Sequence, residues 1–198
     1  KGVDILSEDY HTLMVSQGDG ADVLTGLKGF AAVPSFDTLM LRKIYTYNAA
    51  SAIIAYLGAK RGYRVFAEAA QDADIDRELK KFYDAINSAV SIELGVPLDE
   101  QRAFAEASRT KFRNPHIADS IDRNAANPER KLAASERIMA PMRMIRHHGG
   151  DITPLVKTAA AALSYGGYNR ESGRELLVST SGMDEQDPVL TDILNLLP

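Results

Sequence analysis

The chain has 198 residues, 45% of them hydrophobic and 25% charged, and a formal net charge of −4. That profile fits a globular protein with a sizeable core, and it provides no electrostatic case for binding nucleic acid or an anionic membrane surface. No cysteine is present, which excludes disulfides, thiolate metal sites and cysteine nucleophiles, and is compatible with a cytoplasmic location.

Residues 1–30 differ in texture from the rest. VDIL (residues 3–6) and TLMV (residues 12–15) are short β-like runs, followed by the glycine-punctuated stretch SQGDGADVLTGLKG. Gly18, Gly20 and Gly26 lack the G-x-G-x-x-G spacing and a clear strand-loop-helix context, so this stretch reads as a solvated turn. The N-terminus shows no secretory pattern. The longest apolar run, residues 52–57, falls far short of the roughly 18 residues needed to span a bilayer. Because the chain opens on Lys1 rather than methionine, we expect either that something upstream has been removed or that the chain belongs to a longer protein.

From Pro34 onwards the pattern is helical. Pro34 and Ser35 are start signals for a helix over residues 34–59, with Gly62 just beyond it. A short helix is expected over 64–71. A long amphipathic helix follows over 74–94, with Ile75, Leu79, Phe82, Ile86, Val90 and Leu94 at near-helical spacing, ended by Gly95 and Pro97. Further helices are predicted over 98–112, 117–125, 135–148 (despite Pro141), 152–165 and 186–197. The chain therefore reads as mainly α, with 1–30 an extended lead-in and 31–198 a helical domain.

Two segments carry chemistry. Residues 43–57, KIYTYNAASAIIAYL, place Lys43, Asn48 and Ser51 on the start of an apolar helix-like run. A lysine beside such a run can lose solvation, which favours its neutral, basic form. On an α-helix of about 100° per residue, Lys43, Tyr47, Asn48 and Ser51 fall within an arc of roughly 140°. The competing reading is a snorkelling lysine and a locally bonded asparagine. The second segment, residues 109–143, is dense in cations: Arg113, Arg123, Arg130, Lys131 and Arg137 could converge on an anionic or polyhydroxylated ligand. Asp119, Asp122, Glu129 and Glu136 are interleaved with them, and a salt-bridged surface is the alternative. His147 and His148 are adjacent, so their side chains diverge on a helix, while His11 and His116 are isolated; no metal is implied.

Together, RKIYTYNAASAIIAYLG and KFRNPHIADSIDRNAANPERKL, with SERIMAP after them, resemble the long-chain polyol dehydrogenases, the family that includes the mannitol-1-phosphate 5-dehydrogenases and mannitol 2-dehydrogenases. The resemblance covers most of residues 25–150. It implies a multi-helical C-terminal substrate domain, of the kind found in 6-phosphogluconate-dehydrogenase-like enzymes, that works with NAD held mainly by a domain absent from this chain. It also implies a polyol or ketose substrate, phosphorylated or not. The family motif K-x4-N-x2-H maps Lys43 to the general base and Asn48 to the donor toward the developing alkoxide or carbonyl oxygen. Arg123 and Lys131 match substrate-binding cations, and Arg130 a phosphate contact. Ser51 stands where the family carries histidine; it is shorter and does not titrate near neutrality, so substrate or lysine must be oriented differently. Two other readings stay open: a non-catalytic sugar-phosphate-binding descendant, and a helical interaction module.

Overall fold

The computed structural model describes residues 12–18 and 20–197; the VDIL run and His11 lie outside them. The chain divides into two compact units between Leu41 and Arg42.

In the first unit, strands β1 (Leu13–Ser16) and β2 (Phe30–Val33) pair in parallel, in register from Leu13 opposite Phe30 to Ser16 opposite Val33. The short helix α1 (Ala21–Thr25) connects them. The glycine-rich stretch is thus the turn and helix of a strand-helix-strand crossover, a context the sequence pattern had not revealed. Leu13, Val23 and Leu27 are 59%, 75% and 55% exposed, more than such a small unit needs to leave uncovered. Helix α2 (Phe36–Arg42) follows, opened by Ser35, whose Oγ accepts from the Thr38 backbone N–H at 3.2 Å.

The second unit is helical, as expected. Helix α3 (Ala49–Lys60) is apolar on all sides and correspondingly central: Ala49, Ala50, Ile53, Ile54 and Tyr56 are fully buried. Around it pack α4 (Phe66–Gln71), α5 (Ala73–Leu94), α7 (Ile121–Ala125) and α10 (Thr153–Tyr165). Helix α6 (Leu98–Phe112) lies against α5. The ends of α5 follow local chemistry: Asp72 caps it by accepting from the N–H groups of Asp74 and Ile75, and Gly95 stops it with φ = 66°, a conformation that costs glycine little.

Helix α8 (Pro128–Lys131) is a single turn introduced by Asn127 at φ = 56°. Helix α9 runs from Met139 to His147, not from 135. This start puts Pro141 in the first turn, where a missing N–H is tolerated; a helix begun at 135 would place it in the interior. Helix α7 likewise begins at Ile121 rather than 117, after Ser120 pairs with Val65 in an isolated bridge. Helix α11 (Arg170–Leu176), capped by Asn169, was not anticipated; α12 (Pro188–Asn195) closes the chain. No helix among the described residues is long and apolar enough to cross a membrane.

Candidate active site

The expected helix over 34–59 is not uniform. Between α2 and α3, Lys43–Asn48 forms a π-helical turn, in which the Ala49 N–H bonds to the carbonyl of Ile44, five residues back. A π-helix takes more residues per turn than an α-helix, so positions five apart, Lys43 and Asn48, fall nearer to one face than the α-helical arc allows.

A buried polar chain pins this turn. Thr46, fully buried, accepts at Oγ1 from Gln101 Nε2 at 2.9 Å, and the same amide nitrogen donates to Asn87 Oδ1 at 3.2 Å. Gln101 Oε1 accepts from Arg42 Nε at 2.7 Å, and the rest of that guanidinium binds the Glu100 carboxylate and carbonyl and lies 4.6 Å from the Phe104 ring centre. Every strong donor of the Gln101 amide is used, which suits a fully buried side chain. On the same turn Tyr47 packs on Phe112, ring centres 4.6 Å apart, with the Lys111 ammonium 5.3 Å from the Tyr47 ring.

Lys43 itself is exposed and Asn48 half-buried. The desolvation suggested by the apolar run therefore does not arise for Lys43 among the described residues; it would need a covering surface.

One α-helical turn further on, Ser51 meets the second segment. Its hydroxyl donates to Asn124 Oδ1 at 3.3 Å. Asn124 lies on α7, which is set close to α3 because Gly58 has no side chain: a Cβ there would come within 2.8 Å of Ala69 Cβ and 2.9 Å of Ile121 Cδ1. At the C-terminal end of α7, three successive carbonyls are held by side chains. Lys131 Nζ donates to Asn124 O at 2.6 Å and to Ala126 O, and the Tyr56 hydroxyl donates to Ala125 O at 3.0 Å. The Lys131 ammonium lies 5.7 Å from the Tyr56 ring centre. Lys131 is only 4% exposed, and burial, aided by the charges of Arg137 and Arg130, pushes it down to about 8. Burial likewise drives the Tyr56 phenol well above its ordinary range.

The structure thus joins Ser51 and Lys131 through Asn124, whereas the two arginines have surface partners. Arg123, with a side chain 78% exposed, holds Asp119 at 2.9 and 3.2 Å, and Arg130 pairs with Glu136 at 3.2 Å. The interleaved acids noted in the sequence supply both partners. Sequence reasoning passed over Asn124, Gln101 and Tyr56; only Tyr56 carried a signal, since a tyrosine inside an apolar run needs a partner for its hydroxyl. A cleft of about 990 Å³ is bordered by Lys60, Arg64, Asp122, Ser164 and Tyr165, and by none of Lys43, Asn48, Ser51 or Lys131.

Comparison with known proteins bears on the same segments. The family profile described as "Mannitol dehydrogenase C-terminal domain" matches residues 36–193. The mannitol-1-phosphate 5-dehydrogenase of Pyricularia oryzae (strain Y34) is 26% identical over all of this chain and 50% of its own length. That of Oceanobacillus iheyensis is 30% identical over 88% of this chain and 45% of its own. The chain therefore spans about half the length of the curated relatives it matches. Among solved structures, a D-sorbitol dehydrogenase in substrate-free form superposes with a TM-score of 0.69 at 15% identity, over 94% of this chain and 44% of that one. The Pseudomonas fluorescens mannitol 2-dehydrogenase, in ternary complex with NAD and D-mannitol, gives 0.61 at 14% identity, over 85% and 39%. At these identities the structural matches establish the fold.

Proposed function

The chain belongs to the mannitol dehydrogenase C-terminal domain family, and from that premise we propose that it is the substrate-binding and catalytic-base part of an NAD-dependent, cytoplasmic oxidoreductase that interconverts a polyol and a ketose. The observation that carries the reading is the π turn over Lys43–Asn48, whose wider winding brings positions 43 and 48 nearer to one face than an α-helix would. Relatives named mannitol-1-phosphate 5-dehydrogenase support a substrate of the mannitol type, with or without phosphate.

Among the described residues, the strand-helix-strand unit does not make a nucleotide site. The turn between β1 and α1 lacks the G-x-G-x-x-G spacing, and α1 has only five residues, too short to present a phosphate-binding end. NAD, the hydride acceptor, would be held by sequence outside these 198 residues. The exposed Leu13, Val23 and Leu27 suit burial against further elements of such a domain.

Within the chain, Lys43 in its neutral form accepts the proton of the substrate hydroxyl. Asn48 donates through its amide to the oxygen on which charge builds, where a fixed donor is most effective. Since Lys43 is exposed here, the covering surface that the neutral amine requires comes from the nucleotide domain or the substrate. Ser51 borders the substrate, and Lys131 supports the end of α7 that carries its partner Asn124. Arg123 and Arg130 have guanidinium N–H donors beyond those given to Asp119 and Glu136, and these can turn to substrate or phosphate. The test is direct: full-length protein given NAD and either D-mannitol or its 1-phosphate should reduce the cofactor, and no reduction with either would contradict the proposal.

A further inference from the structure

The orientation of the Ser51 hydroxyl follows from its neighbours. The Ser120 backbone carbonyl can only accept a hydrogen bond, and the Asn124 side chain meets it at 3.0 Å, so the amide nitrogen of Asn124 must face Ser120. The amide oxygen of Asn124 then faces Ser51 at 3.3 Å. An amide oxygen cannot donate, so in this contact the Ser51 hydroxyl is the donor. The reversed amide would set Oδ1 against the Ser120 carbonyl, two acceptors in contact. The backbone of Asn124 is fixed as well, because its carbonyl accepts from Lys131 Nζ at 2.6 Å.

We propose that Asn124 is a positioning residue that makes Ser51 an acceptor-only contact, so that this point of the site selects a substrate hydroxyl over a ketone, carboxylate or ionised phosphate oxygen. The proposal rests on the reading of Ser51 as a substrate neighbour given above. A histidine in place of Ser51 could donate or accept according to its tautomer; the serine bound to Asn124 has only lone pairs left to offer. A ligand atom unable to donate would leave two acceptors facing each other, and a buried unsatisfied acceptor is costly. The phosphate of a phosphorylated substrate therefore lies away from Ser51, and a carbinol hydroxyl of the polyol chain lies against it.

Two measurements test this. Neutron diffraction from deuterium-exchanged crystals of the protein is expected to place a deuteron on Ser51 Oγ, directed at Asn124 Oδ1; a deuteron of Asn124 Nδ2 in that gap would overturn the orientation. The second compares D-mannitol with its monodeoxyfluoro analogues, in which a fluorine that cannot donate replaces one hydroxyl. In the full-length enzyme, fluorine at one carbon should lower kcat/KM by about tenfold or more, mainly through KM. That penalty should vanish in Ser51→Ala and shrink several-fold in Asn124→Ala, where the freed hydroxyl can turn toward fluorine. A penalty unchanged in both variants would overturn the selection. A full-length enzyme that turns over no polyol would remove the functional reading and the selection with it, while the deuteron position still decides the orientation on its own.

Discussion

Lys131 donates to the carbonyl of Asn124 at 2.6 Å from a position only 4% exposed, so a residue that the resemblance assigns to substrate also supports the end of α7, which carries Ser51's partner. A neutral amine keeps two N–H donors, enough for the Asn124 and Ala126 carbonyls, so charge is not needed for this role. The sign of the pH effect follows. The folded value, about 8, lies below that of an unfolded lysine, so between about 8 and 10.4 the unfolded chain binds more protons. Stability therefore rises with pH across that window. In Lys131→Met both carbonyls lose their donor, at a cost of about 1–3 kcal/mol. Because wild type alone sheds the penalty of a buried charge, the deficit of the variant in urea unfolding should be larger at pH 10 than at pH 7. An equal deficit at both would count against the depressed titration.

Gln101→Leu removes the pin of the π turn. It leaves Arg42 Nε, Thr46 Oγ1 and Asn87 Oδ1 without their partner, and a loss of about 2–4 kcal/mol is expected by denaturant titration. If the turn relaxes toward an α-helix, Asn48 rotates away from Lys43, so kcat should fall even where the variant remains folded.

How much of this was legible in the sequence depended on whether the cause was local. The extent of α5 is set by Asp72 at its start and by Gly95 and Pro97 at its end, all adjacent to the helix, and its apolar spacing was visible directly. The π turn was not legible, because what holds Thr46 is Gln101, 55 residues away, and no periodicity reports such a partner. Likewise Ser51 could be singled out from the motif, while Asn124, 73 residues on, became its partner only through the close approach of α7 at Gly58. Helix α9 carries a local signal of a different kind: Pro141 marks a helix start close to it, which rules out the longer helix over 135–148.

Replacing Ser51 by the family's histidine should not be benign by itself. The half-buried site is already closed by Asn124, so Ser51→His is expected to cost about 1–3 kcal/mol through overpacking. Adding Asn124→Ala should recover part of the loss, a non-additivity measurable in a double-mutant cycle. Strict additivity would mean that the two side chains do not share the space.

Asp76 gives an acid-side test. Burial raises its carboxyl, but hydrogen bonds from Arg109 and Lys80 outweigh this and hold it below the usual carboxylate range. Arg109 reaches it at 2.8 and 3.0 Å. A lowered folded value means that the contribution is complete above the unfolded value, near 4, and is lost as pH falls through the folded one. Asp76→Asn should therefore lose about 1–3 kcal/mol at pH 7, and the gap should narrow below about pH 4.

The central claim is that Lys43 takes the substrate proton, and the most direct measurement is kcat for NAD-linked oxidation of D-mannitol by full-length wild-type protein and Lys43→Ala. The expected result is a fall in kcat of about 10²–10⁴-fold with KM little changed, as for the loss of a general base. Turnover by Lys43→Ala at the wild-type rate would contradict it.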